Sequence, residues 1–447
     1  MKKIILSGFV SLILVACASN SGLKEIKYQQ ENASSLNGVQ KEFYANGNVR
    51  SEKIFKNGVW LGEYKEFYES GALKLKGNYK NNKANGTFIE YFEDGKIYKK
   101  YSLKDDLKDG TYKEYFSNSK LKEEIDFKNG KKNGTYKAYY DNGKTSLSGK
   151  FKDDIKIDEW ISYFETGTKH TLQLIYDNNI TGKDIVYFED GSIKKEEYYN
   201  KVGQKDGVFR EFYAINTPKF VKTYKNDKQN GVFYEYFANT QLYKEYTMKD
   251  DYFIGFYKEF YENGVLRFVT KYNNKGQKEG AENNYSKQAT LLSSLIYKND
   301  KLNGLCKTYH ENGELKTQAL MKDDKVVDIK KFYDQNGKFY AQELFDEHGQ
   351  KLEYKSFYEN NSLKSEEYYK NGKVDGLSKG FYEDGTLQYE IQNNNGVKGV
   401  FKEYHKNGQL SQSGSYKYGT KHGWINFYNE DGKFIKKIYY QNGIAID

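Results

Sequence analysis

Residues 62–71 read GEYKEFYESG, and the phrase returns as GTYKEYFSNS (110–119), GTYKAYYDNG (134–143), GFYKEFYENG (255–264) and GVFKEYHKNG (399–408). A repeat at fixed spacing decides the fold before any local propensity does. From Gly38 to Asp447 the chain divides into about 17 units of close to 24 residues. Numbered from Gly62, a unit runs G-EYKEFY-ESG-ALKLKGNY-KNNKAN, and Gly86 opens the next. Glycine opens 14 of the 17 units and recurs at position 10 in 12 of them, usually after Asn or Asp, as in Asn46-Gly47, Asp94-Gly95 and Asn142-Gly143. Asn-Gly or Asp-Gly between two aromatic-rich runs signals a β-hairpin, and a two-residue loop of this kind predicts a type I′ turn. No segment carries a 3.6-residue apolar period. The expected fold class is therefore all-β: an elongated meander of about 17 antiparallel hairpins, twisted or superhelical because sheets twist. An isolated hairpin is marginal in water, so each must lean on its neighbours.

Composition agrees with a thin structure held by rings. Aromatics are 17% of the chain, with 45 Tyr and 28 Phe, while apolar content is only 37% and proline occurs once, at Pro218. A disordered chain would lack those rings. The net charge of +9 comes from interspersed signs, and only Arg50, Arg210 and Arg267 are arginine. That pattern describes a solvated sheet surface and argues against a nucleic-acid partner.

Strand alternation predicts two faces. Positions 3, 7, 12 and 18 (Tyr64, Tyr68, Leu73, Tyr79) are expected on one, the core face. Position 6 is expected on the other. It is aromatic in every unit, with one-residue shifts placing Phe332 and Phe427 in units thirteen and seventeen. Of these rings, Phe67, Tyr91, Tyr115, Tyr139, Tyr163, Tyr187, Phe212, Tyr236 and Phe260 are the candidate partner-binding stripe. Either these rings are packed, or they are an exposed ladder about 10 Å apart that takes an extended protein or glycan.

The chain opens MKKIILSGFVSLILVACASN. Lys2 and Lys3 precede an apolar run, Ile4 to Val15, too short to span a bilayer and suited to a signal peptide. Leu14-Val15-Ala16-Cys17 resembles the lipobox of bacterial lipoproteins. That resemblance implies cleavage between Ala16 and Cys17, acylation of Cys17 and, with Ala18 next, sorting to the outer membrane where a cell has two. The expected organisation is a signal peptide over 1–16, a lipidated cysteine with a polar tether over 17–37 and the array over 38–447. Only Cys306 then remains in the body, so no intramolecular disulfide forms.

The phrase G-x-[YF]-x-x-[YF]-[YF]-x-[ND]-G-x-[LI] resembles the MORN repeat in its bacterial variant form, over essentially all of 38–447. The resemblance implies elongated hairpin arrays that scaffold or bind partners, and some bacterial relatives are linked to antitoxin or immunity roles. Lys65 and Glu66 depart from the eukaryotic phrasing, so lipid-binding roles do not transfer. The function expected is a membrane-anchored lipoprotein presenting a repeat surface for protein binding at the cell envelope; the alternatives are an antitoxin or immunity protein and a surface glycan binder.

No catalytic, metal or cofactor phrase occurs, and an enzyme is not expected. His310 and His405 stand where other units have a ring. Asp-Asp pairs (Asp105-Asp106, Asp153-Asp154, Asp250-Asp251, Asp323-Asp324) fall at turns between hairpins, which aspartate suits without a metal. Units seven, ten and thirteen carry an extra residue in loops 73 residues apart, at Gly203, Gly276 and Gly349. Pro218 is expected in a turn.

Overall fold

The computed structural model describes residues 36–176 and 179–446. Among them are forty strands and no helix. Cys17, Ala16 and the tether lie outside the described residues, except that Leu36 and Asn37 are seen. The chain divides into two compact units. One comprises residues up to Ser119 with Phe127–Gly130; the other comprises Lys120–Asp126 and Lys131 onward.

Within each unit, consecutive strands pair antiparallel. In the first, Val59–Phe67 pairs with Leu73–Lys80, matching Gly62 with Tyr79, Tyr64 with Gly77, Glu66 with Leu75 and Phe67 with Leu73. In the second, Lys131–Tyr139 and Thr145–Lys152 repeat that register, with Tyr136 opposite Gly149 and Tyr139 opposite Thr145. The strand count exceeds the expected two per repeat because left-handed backbone at the opening position splits some strands. Lys83–Ala84, for example, is separated from Gly86–Tyr91, where Gly86 has φ +103°.

The turns are exchanged relative to the sequence expectation. The loop holding Asn-Gly is a three-residue connection, a type I turn followed by a left-handed bulge glycine. The Gly71 amide donates to the Tyr68 carbonyl (2.9 Å) and the Tyr68 amide to the Ala72 carbonyl (2.8 Å), while only Gly71, at φ +89°, is left-handed. The loop is therefore one residue longer than a type I′ connection, and the pairing slips between Glu66 and Phe67. Type I′ turns sit at the opposite rim, between hairpins, where two successive residues are left-handed: Asn81 and Asn82 (52° and 63°), Asp105 and Asp106 (50° and 70°), and in the second unit Asp250 and Asp251 (50° and 71°). Asn and Asp tolerate this backbone better than other side-chain-bearing residues, which explains the Asp pairs. The inserted loops relieve the demand. Asn200–Gln204, Asn273–Gln277 and Asp346–Gln350 each form the three-residue connection instead.

Pairing also redraws the faces, since residues directly opposite share one. Tyr64, Leu75, Gly77 and Tyr79 share the ring face. Leu73 does not join them, because the slip sets it opposite Phe67. On the ring face of the first unit, successive centroids lie 3.5 Å (Trp60–Tyr79), 5.8 Å (Tyr79–Phe88), 5.8 Å (Phe88–Tyr101) and 6.0 Å (Tyr101–Tyr112) apart. In the second unit Tyr136 and Phe151 pack on Trp160 at 5.5 and 4.9 Å. Glycine opposite a large ring is what lets the ring lie flat: a Cβ on Gly77 would come 2.2 Å from Phe88, and one on Gly149 would come 2.3 Å from Trp160. Lysine stems cover the row, with Lys108 Nζ 4.4 Å from the Tyr112 centroid and Lys156 Nζ 4.2 Å from that of Trp160.

The register removes the two expected shifts: Tyr333 and Tyr428, not Phe332 and Phe427, occupy position 6, opposite Phe339 and Phe434. Pro218 is in the strand Thr217–Lys225, not in a turn, opposite Phe212 where the register slips on both sides. Irregular pairing at that point accommodates the missing amide.

Where the bulge glycine is absent, another residue is forced left-handed: Thr240 at φ 71° and Ala289 at 65°. A side chain in this region costs about 1–2 kcal/mol, and a β-branched one is the least suited to it. Thr240→Gly is expected to stabilise its hairpin by about 1 kcal/mol, read as slower amide exchange across 231–249; unchanged exchange would remove the strain argument.

Candidate binding faces

Many repeats are joined to the next by side chains meeting backbone at the rims, position 7 serving where it carries a hydroxyl or imidazole and not where it is phenylalanine, as at Phe92 and Phe188. At the bulge-turn rim the position-7 hydroxyl donates to the position-6 carbonyl one repeat on: Tyr44 to Phe67 (2.7 Å), Tyr68 to Tyr91 (2.7 Å), Tyr140 to Tyr163 (2.6 Å) and Tyr358 to Phe381 (2.8 Å). His310 and His405 place Nε2 3.0 Å from the carbonyls of Tyr333 and Tyr428, so each histidine makes the tyrosine's bond. Position 9 explains the preference for Asn. Asn46 Oδ1 accepts from the Asn48 amide (2.9 Å), and its Nδ2 donates to the Glu69 carbonyl of the next turn (3.0 Å). Asp94 makes the local bond alone, to the Lys96 amide.

At the type I′ rim the second turn residue clamps the preceding repeat. Asp106 Oδ1 accepts from the Ala84 amide (2.8 Å) while the Asp106 amide donates to the Ala84 carbonyl (3.1 Å); Asp251 and Gln229, and Asp324 and Leu302, do the same. The Asp pairs are thus turn clamps. Cys306 takes the position-3 place on the ring face, where it is buried and accepts from the Ile296 amide at 3.4 Å; burial pushes its thiol pKa up.

The predicted stripe lies on the face opposite the ring row. Phe67, Tyr91 and Tyr115 belong to the first unit, and Tyr139, Tyr163, Tyr187, Phe212, Tyr236 and Phe260 to the second. All nine are half-buried, so the stripe is neither sealed nor a free ladder. Directly opposed partners are aliphatic for five of them, Leu73 for Phe67, Ile97 for Tyr91, Ile193 for Tyr187, Leu242 for Tyr236 and Leu266 for Phe260, while Thr145 opposes Tyr139 and Lys169 opposes Tyr163. Tyr139 also donates to Glu124 (3.2 Å), and the Lys76 ammonium stands 5.8 Å from the Tyr91 centroid. Two further lanes share this face, and their chemistry was not singled out from the sequence. The middle lane holds positions 4 and 15, where Lys65 opposes Lys76 and Lys100 opposes Lys113. The outer lane holds positions 2 and 17, polar at Glu63–Asn78 and Thr87–Ser102 but apolar at Leu305–Leu320. Counting along the strand from position 6 would have found both once the register was known.

With this geometry in place, comparison is informative about the repeat. Ten segments match the MORN repeat variant: 36–57, 60–81, 84–105, 108–129, 132–153, 255–274, 302–323, 350–371, 374–395 and 398–418. The chain carries MORN-variant repeats. The same hairpin continues between matched segments, as at Phe164–Thr168 and Phe188–Ser192, where the bulge-turn bonds recur. A repeat protein of this kind is suited to protein binding or scaffolding. No curated protein matches the chain. Among solved structures, similarity is found to "Crystal Structure of TcdB2-TccC3" (9% identity, 91% of this chain, 28% of that one, TM-score 0.15) and to the Photorhabdus luminescens Tc holotoxin pore (12%, 90%, 26%, TM-score 0.14). The chain spans only about a quarter of those chains, and likenesses of this size carry no functional inference.

Burial, reinforced by the charge of Glu66, pushes Tyr64 up to about 12; burial and Glu123 do the same for Tyr136. A tyrosine raised in the folded state favours folding fully below its unfolded value of about 10 and loses that contribution as pH rises through 12. Folded protein should therefore show hydroxyl ionisations delayed toward pH 12 in ultraviolet absorbance, with unfolding setting in over the same window. Simple titration near pH 10 in intact protein would contradict the burial of these hydroxyls.

Proposed function

We propose that this chain is an envelope lipoprotein, anchored through Cys17, whose repeats hold a protein partner against the sheet face that carries Phe67, Tyr91 and their equivalents. The observation that carries the reading is the asymmetry of the two faces. The ring face spends its aromatic surface on itself, row against row. The opposite face keeps half-buried rings beside lysines, and half-buried aromatics with a basic flank suit a desolvated contact with another chain. Contacts spread over many similar repeats favour a scaffold in which no single residue dominates. The anchor rests on Lys2, Lys3, the apolar run and Leu14-Val15-Ala16-Cys17. The MORN-variant repeats support the binding role, since hairpin repeats stack into continuous surfaces.

Photo-crosslinking in intact cells, from probes placed beside Phe67, Tyr163 and Phe260, tests the reading. The expected product is one partner captured from several positions, with yield falling stepwise as two or three of these rings become alanine. Cys17→Ala should move the protein from the membrane pellet to the soluble fraction and lower the yield. Membrane association that persists in Cys17→Ala would remove the anchor; capture abolished by one substitution alone would replace the distributed surface with a discrete site.

A further inference from the structure

The outer lane is aliphatic on both strands over one run of consecutive hairpins. Ala281 opposes Ile296, Leu305 opposes Leu320 and Ile329 opposes Leu344, so three consecutive hairpins present an aliphatic row. Leu305, Leu320 and Ile329 are 46%, 41% and 36% exposed. The equivalent positions of earlier hairpins are polar at Thr87–Ser102 and Thr135–Lys150, mixed at Val208–Thr223 and Val232–Thr247, and aliphatic in the isolated pair Val39–Ile54. The backbone is the same in both places, so the aliphatic choice is not imposed by the hairpin. A contiguous exposed row of this kind marks an interaction site.

The middle lane beside it is basic and uncompensated. Lys307 opposes Ser294 and Gln318, and Lys331 opposes Gln318 and Gln342. Neither lysine has an ion pair among the described residues. The carboxylate in the adjoining row, Glu343, opposes Lys330 and pairs with Lys351 (2.9 Å). Further along, the same lane is neutralised, with Lys355 bonded to Glu353 (2.8 Å) and Lys379 3.8 Å from Glu366.

Resting on the binding-surface reading, we infer that Leu305, Leu320, Ile329, Lys307 and Lys331 form the seat for an amphipathic helix of another protein, with its apolar stripe on the leucine row and acidic residues on the lysines. Equivalent rows of successive hairpins lie two strand spacings, about 9.6 Å, apart. Seven helical residues advance about 10.5 Å, so heptad-spaced side chains meet successive hairpins. The aliphatic and lysine lanes are two residues, about 7 Å, apart along the strand, within the width of one helix about 10 Å across. A plain β-strand fails this match: it covers the hairpin period in about three residues, and odd steps turn its side chains to the opposite side.

The test uses the full chain and two labelled synthetic helices of about four heptads, sharing one leucine stripe and differing in Glu or Lys on its flank. Anisotropy titration should show the Glu-flanked helix binding and the Lys-flanked helix at least about tenfold weaker, a difference of about 1.4 kcal/mol. The double variant Lys307→Glu, Lys331→Glu should reverse that preference, Leu305→Ser with Leu320→Ser should weaken both helices, and Lys100→Glu should change neither. Each variant is first checked for the parent's circular dichroism. Equal binding of the two helices, no effect of the lysine reversal, tighter binding of a proline-rich acidic peptide, or a dimer in sedimentation that Leu305→Ser dissolves would each overturn the seat. Cellular crosslinks from Phe67 or Tyr163 that survive the lysine reversal would remove this lane while leaving the general binding surface in place.

Discussion

Everything in this fold depends on how one hairpin is fastened to the next. Backbone pairing alone would let neighbouring hairpins slide in register, and a slip of one residue exchanges the two faces. Side-chain bonds at both rims prevent it. The hydroxyl of Tyr68 reaches the Tyr91 carbonyl, 23 residues on, and the carboxylate of Asp106 reaches back 22 residues to the Ala84 amide. Both bonds need the hairpin to keep its length, so they fix the period near 24. They also shape composition: a tyrosine or histidine at position 7 in the repeats that make the rim bond, Asn or Asp at position 9 in most turns and a left-handed Asn, Asp or Gly in the type I′ turn. Such side chain–backbone bonds each contribute about 1 kcal/mol, and they accumulate with every repeat.

The period, the hairpins and their all-β class were legible because glycine and aromatics recur at fixed spacing. The turn types were not, because Asn-Gly serves both as a type I′ pair and as the end of a type I turn with a bulge. What separates these is where the ladder stops, and that is set by pairing, not by the two residues themselves. The error propagated: a two-residue turn places Leu73 with Tyr64, whereas the slip places it with Phe67. The stripe was legible as a pattern at Phe67, Tyr91 and beyond, but its half-burial was not, because burial depends on neighbouring strands whose register was unknown. His310 shows the same limit. Its place in the repeat identified it as a ring substitute, while the shared hydrogen bond became evident only with the next repeat in position.

The two faces carry different constraints. On the ring face, Gly77 and Phe88 are coupled, since the glycine makes room for the ring, and substitution there must be paired. On the other face, equivalent positions are polar at Glu63 and Asn78 in one unit and aliphatic at Leu305 and Leu320 in the other, with the same register. Function can therefore vary along a repeat protein on one surface while the other holds the stack together, which is how a loosely specified repeat supports a specific contact.

The repeat beginning at Gly280 illustrates the balance. Its position-3 place on the ring face holds Glu282, buried and bonded to Lys278, whose ammonium also lies 4.8 Å from the Tyr297 centroid. Burial works against the lysine's charge, but the bond and charge of Glu282 outweigh it and hold its pKa above the ordinary value. A buried ion pair contributes less to stability than well-packed apolar groups of the same volume, so this is a weaker joint than Tyr79 on Phe88. Lys278 ends one of the three-residue connections that replace a type I′ turn, and the repeat's bulge turn is the strained one at Ala289. Ring packing and turn residues therefore both depart from the common pattern in the repeat where the aliphatic lane begins. In an array whose stability is a sum of neighbouring terms, a weak joint costs only its own interface. Strong joints elsewhere allow residues 280–303 to depart from the repeat and their outer lane to differ in chemistry from the rest.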